Sequence, residues 1–173
     1  MPTSKEEEKL YMMWWLHDGQ WYQNVAKRFG FDAANEINKE AARFMARRSM
    51  QLLVRERGID PDEITLEEAV ELYMTAAKNM WADGWVELEA SITGDDTFDV
   101  TTTKNFALQW IDKAGTLDKY DCPCLELREG WFKGLGIRKF EQGKNSCMCD
   151  GAEACTFWAK VNLPSAANKE EAK

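Results

Sequence analysis

A chain of 173 residues with 45% hydrophobic content is long enough to bury an ordinary core without disulfides. Its formal charge of -8 opposes general attraction to phosphate backbones, which bind clustered Lys and Arg, so nucleic acid is excluded as a partner. The first nine residues are polar and acidic and no run nears the length of a membrane span, so neither secretion nor membrane insertion is expected and the protein is placed in the cytoplasm.

Three helices are predicted in the first half. Ser4-Lys5-Glu6-Glu7 fits a capping box, after which Leu10, Met13, Trp14, His17, Trp21, Val25 and Phe29 recur at helical spacing up to Gly30. The stripe is expected to face inward. A second helix begins at Asp32, turns Ile37, Ala41, Phe44, Met45 and Leu52 inward and stops at Gly58. Its Arg43, Arg47, Arg48, Arg55 and Arg57 read as a solvated face. Asp60-Pro61-Asp62 breaks the chain, and Thr65-Leu66-Glu67-Glu68 caps a third helix carrying Leu66, Ala69, Val70, Tyr73, Ala77, Met80 and Trp81.

From Trp85 the period changes to two. Residues 85 to 92 alternate as a strand does, 97 to 103 are rich in β-branched residues, and Gly94-Asp95-Asp96 joins them as a hairpin. Short helices are expected from Phe106 to Ala114 and from Leu125 to Leu135, and a closing strand from Ala154 to Asn162. The expected fold is α+β: a helical N-terminal half packed on an antiparallel sheet, with a Cys-rich, metal-tied C-terminal region. One domain spans residues 1 to 164, helical over 4 to 84 and carrying the sheet and metal site over 85 to 164. Residues 165 to 173 form a small, charged tail expected to be disordered.

All five cysteines fall in the last third, as Cys122-Pro123-Cys124, Cys147-Met148-Cys149 and Cys155. In a reducing compartment such clustering points to metal binding or redox chemistry. Thiolates are soft ligands that suit zinc and iron-sulfur clusters, and four close a tetrahedral zinc site. Zinc is the expected metal, and a 4Fe-4S cluster is the alternative.

Gly130-Trp131-Phe132-Lys133-Gly134, followed by Cys147, Gly151, Cys155 and Phe157 at four-residue and then two-residue steps, resembles the C-terminal part of the 4-vinyl-reductase domain family of small-molecule-binding domains. That resemblance implies metal-binding roles for Cys147, Cys155 and Cys124, or Cys122 in place of Cys124, and it implies a dimer. Family members that bind zinc can use a glutamate where this chain has Lys144, so Cys149 or the spare member of Cys122/Cys124 must complete the set. Leu16 to Tyr22, Phe29 to Asn35 and Ile37-Asn38 are similar to proteins near the L-2-amino-thiazoline-4-carboxylate hydrolase family, which implies hydrolysis of a small cyclic substrate.

His17, the single histidine, is the candidate general acid or base. Eight tryptophans serve mainly the core, but an apolar pocket for a small apolar or aromatic molecule is expected around Trp14, His17, Trp21, Tyr22 and Asn38. The leading expectation is therefore a cytosolic small-molecule-binding protein with a structural thiolate-bound metal. The alternative is a metalloenzyme, either that hydrolase or an iron-sulfur redox protein. A third reading is a subunit that docks a larger partner through exposed aromatics, and it requires a large apolar surface patch in place of a closed pocket.

Overall fold

In the computed structural model, residues 3 to 163 are described, so the tail expected to be disordered lies outside the described residues. The elements are α1 (Lys5–Phe29), α2 (Phe31–Arg57), α3 (Leu66–Lys78), β1 (Val86–Ile92), β2 (Thr97–Asn105), α4 (Phe106–Lys113), α5 (Cys124–Gly134), β3 (Lys139–Ser146) and β4 (Cys155–Asn162). Short 3-10 turns lie at Leu117–Lys119 and Met148–Asp150.

Both expected capping boxes form. The Ser4 hydroxyl accepts the Glu7 N–H at 3.2 Å while the Glu7 carboxylate accepts the Ser4 N–H at 2.8 Å, which satisfies two orphan donors of α1 at once. Thr65 and Glu68 do the same for α3. Gly30 separates α1 from α2 as a single residue, and Gly58, left-handed at φ 64°, ends α2. Asn105 ends β2 and starts α4, its side-chain oxygen accepting the N–H groups of Ala107 and Leu108.

The four strands form one antiparallel sheet in the order β1-β2-β4-β3. This is the expected α+β arrangement. Along β4, Cys155, Phe157, Ala159 and Val161 are buried, and along β2, Phe98, Val100 and Thr102 are buried, so each strand turns alternate residues to one covered face. Over that face lie α3 and α5. The core joins Met50 of α2, Leu72 and Tyr73 of α3, Phe132 of α5 and Leu135 just after it, and Val100 and Val161 of the sheet. Within it Tyr73 meets Trp131 edge-on with centroids 5.0 Å apart.

No strand was expected at β3, whose sequence Lys139-Phe-Glu-Gln-Gly-Lys-Asn-Ser146 holds one large apolar residue. It is an edge strand. Its ladder is supplied by β4 alone, and charged residues on an edge protect it from pairing with other chains.

Candidate functional site

The first helix carries two apolar faces, and the fold uses only one. Trp15 stacks on Trp81 with centroids 4.2 Å apart, and its indole N–H donates to the Met80 carbonyl at 3.1 Å. Two turns on, the Tyr22 hydroxyl donates to Asn35 Oδ1 at 2.8 Å, and its ring meets Tyr120 edge-on at 5.4 Å. Trp15, Tyr22 and Ala26 therefore define the inner face. The stripe one position back faces solvent. Leu10 and Met13 are each 69% exposed, Trp21 is 63% exposed, and Trp14 and His17 are exposed beside them.

This corrects the expected direction of the stripe and of His17. A spacing of three and four residues defines a face but not which way it points, and Trp14-Trp15 and Trp21-Tyr22 put an aromatic on both sides. The second helix repeats the pattern. Ile37, Phe44 and Leu52, expected inside, are exposed, with Phe44 at 69%, while Ala42, Ala46, Met50 and Leu53 face the core. The two outer stripes adjoin, because Trp14 and Ala41 line one cavity.

Beneath this surface runs a series of small cavities. One of about 170 Å³ lies between α1 and α4 against Trp15, Tyr22, Phe106, Trp110 and Tyr120. A second, of about 140 Å³, shares Trp15, Asp18, Asn38 and Tyr120 with it and reaches Cys122 and Cys124. A third, of about 70 Å³, continues past Cys124 and Leu127 to Arg128, Cys155 and Phe157. Of the residues expected to line a pocket, Tyr22 and Asn38 line the first cavity and Trp14 and Asn38 the second, whereas His17 and Trp21 line none of these.

Asp18, beside His17 in sequence, turns the other way, toward both of the larger cavities. Desolvation at the cavity walls raises its carboxyl above the usual range although the residue is exposed at the surface, and His17 partly offsets the shift. A folded state that holds this proton more tightly than the unfolded chain loses stability as pH rises from about 3.9, the unfolded value, through the raised native one. Asp18→Asn is therefore expected to melt higher than the parent at pH 7, with the gap closing toward pH 3. Thermal melts across that range test this, and a lower melting point for the variant at pH 7 would contradict it.

Three segments converge at the cysteines: the start of α5, the turn after β3, and the start of β4. Gly151, at φ 85°, takes a backbone shape open mainly to glycine and reverses the chain between Cys147 and Cys155. The sulfurs of Cys122, Cys147 and Cys149 lie within 4.8 Å of one another, and Cys155 Sγ is 3.8 Å from Cys147 Sγ. The Met148 N–H donates to Cys155 Sγ at 3.2 Å. Cys122 is joined to Cys124 as a disulfide, and Cys147, Cys149 and Cys155 are free thiols. Burial and the neighbouring Cys147 push the Cys149 thiol up. Burial raises Cys155 too, opposed by the Met148 N–H and the Arg128 guanidinium.

Arg128 is the residue that sequence reasoning missed. It is 8% exposed, its guanidinium lies 3.7 Å over the Phe157 ring, and its Nε has no hydrogen-bond partner. The available signal is its position one helical turn beyond Cys124, the i,i+4 relation that stacks side chains on one face.

No family model matches the chain, and no curated protein matches it in sequence. The expected resemblances to the 4-vinyl-reductase and L-2-amino-thiazoline-4-carboxylate hydrolase families are thereby corrected. The fold is instead shared with a solved structure. The chain is similar to the crystal structure of trafficking protein particle complex subunit 3 from Naegleria fowleri, covalently bound to palmitic acid. The TM-score is 0.61 at 12% identity, over 90% of this chain and 97% of that one.

The readings as a small-molecule binder, a cyclic-substrate hydrolase or an iron-sulfur redox protein are set aside with the families that carried them. The comparisons support neither zinc nor an iron-sulfur cluster, and what the structure contains is a cysteine cluster. Among the described residues, no helix is long and apolar enough to cross a membrane.

Proposed function

We propose that the protein is a cytoplasmic assembly subunit, of the trafficking-particle kind, that docks protein partners through the outer face of α1 and α2. The observation that carries this is the exposed stripe of Leu10, Met13, Trp14, Trp21, Ile37, Phe44 and Leu52. Large apolar side chains contiguous over two helices mark interaction surfaces more often than they occur by chance on a monomer, and Trp is among the residues that dominate binding energy. The shared fold with a complex subunit supports the same reading.

The first partner to test is a second copy. A two-fold interface needs one patch that complements itself. Here the acidic first turn of α1, Glu6 to Glu8, borders Leu10, and Arg47 and Arg48 border Phe44, so two antiparallel copies would set opposite charges at the rim of the apolar patch.

Light scattering coupled to size exclusion provides the test. The parent is expected to run as a dimer and the Trp21→Glu/Phe44→Glu variant as a monomer. Both positions are exposed, so the melting point should stay within the shift expected of ordinary surface changes, about 0.5 kcal/mol per site. A parent that is monomeric at high concentration, or a variant that remains dimeric, would overturn the self-docking reading.

A further inference from the structure

The thiols and Arg128 are separately anomalous. Three sulfurs lie within 4.8 Å of one another, and a fourth, that of Cys155, is 3.8 Å from one of them. A guanidinium with no carboxylate partner among the described residues is costly to hold in a low-dielectric interior. Each anomaly accounts for the other if the sulfurs carry negative charge.

We infer that Cys122, Cys147, Cys149 and Cys155 form a four-thiolate site for a single tetrahedral, thiophilic divalent cation, with Arg128 as its buried counter-charge and Cys124 outside the ligand set. Metal–sulfur bonds of about 2.3 Å in a tetrahedron place sulfurs about 3.8 Å apart, which is the separation of Cys147 and Cys155. Cys122 belongs to the group whose sulfurs lie within 4.8 Å of one another. Cys124 does not belong to that group. The Met148 N–H already points at Cys155 Sγ, the kind of outer-shell donor that fixes a ligand.

Formation of the site begins with reduction of the Cys122–Cys124 disulfide by a dithiol reductant. Two electrons and two protons yield two thiols, and the reductant becomes a disulfide. Four thiols then release four protons to solvent as their sulfurs bind one divalent cation, leaving the centre with a charge of -2. Arg128, which lines the third cavity together with Cys155, offsets part of it. The consequence is a tie between α5 and the β3–β4 connection that couples metal binding to folding.

The test uses the full chain, reduced and handled without oxygen, titrated with cobalt(II) and then zinc. One cobalt per chain is expected, with the sulfur-to-metal absorption of a tetrahedral four-thiolate ion that zinc then bleaches. Cys124→Ser should reproduce that spectrum. Cys149→Ser, at a half-buried position, should lose about a quarter of the sulfur-to-metal intensity, one thiolate of four. Arg128→Met should keep the spectrum and bind cobalt about 10- to 100-fold more weakly, the scale of outer-shell changes. Failure of the reduced parent to bind cobalt would overturn the site, as would loss of the spectrum in Cys124→Ser or parental affinity in Arg128→Met. So would iron with acid-labile sulfide in protein prepared without oxygen. The parent titration and Cys124→Ser decide the matter even if the other variants fail to fold.

Discussion

Gly130→Ala is expected to destabilise the fold by about 2 kcal/mol, although alanine favours helix over glycine by nearly 1 kcal/mol. The reason is the crossing of α5 over α2. A Cβ at Gly130 would run into the Arg43 carbonyl, with the Ala46 Cβ at 2.7 Å and the Arg47 nitrogen at 3.0 Å. One turn on, a Cβ at Gly134 would meet the Met50 Cβ at 2.6 Å and the Arg47 carbonyl at 2.8 Å. Most of these neighbours are backbone or Cβ atoms that no rotamer change removes, so α5 must move away from α2.

Gly19→Ala in α1 is the control, since nothing lies within 4 Å of the new methyl. That change is expected to stabilise by about 0.5–1 kcal/mol through helix propensity alone. Urea unfolding of both variants compares opposite signs of one chemical change. A neutral or stabilising Gly130→Ala would mean that the two helices are not in close contact. The shift matters beyond stability, because α5 begins at Cys124 and carries Arg128, and moving it displaces the thiolate cluster.

Much of the framework was legible because it is written in local chemistry. Ser4–Glu7 and Thr65–Glu68 state two helix starts through reciprocal hydrogen bonds, and Gly30 and Gly58 mark where α1 and α2 end. The alternation of residues 85 to 92 and the β-branched run that follows gave the first hairpin. What failed was information held in tertiary partners. Strand β3 is polar because it is an edge, and its pairing belongs to β4.

The outward turn of Leu10, Trp14 and Trp21 depended on Trp81 and Tyr120 claiming Trp15 and Tyr22 instead, and neither partner is near in sequence. The cysteine cluster was visible from spacing, but the division between Cys122 and Cys124 required the separations of the sulfurs. Arg128 was invisible because its isolation from carboxylates exists only in three dimensions. Gly130 and Gly134 were read as part of a family motif, whereas their role in the fold is to let two helices touch.

The adjacent tryptophans of α1 should separate stability from association. Trp15→Ala is expected to cost about 3 kcal/mol, the low end for deleting a packed aromatic, because it removes the stack on Trp81 and the hydrogen bond to Met80. The N-terminal half of α1 would then be held to the residues after α3 mainly by the Tyr11 hydroxyl donating to the Asn79 carbonyl at 3.0 Å and by the paired hydrogen bonds of Thr3 with Asp83. All three are exposed bonds that add little. Hydrogen exchange should accelerate over residues 5 to 18, and self-association should fall with it because the docking helix is no longer fixed.

Trp14→Ala removes an aromatic from the outer face, so its stability cost should stay under about 1 kcal/mol, while dimerisation should weaken as strongly as in Trp15→Ala. Paired melts and light-scattering measurements on the two variants read both quantities at once. Equal losses of stability would show that α1 does not divide into a packed and a docking face, and unchanged association in Trp14→Ala would remove this stripe from the interface.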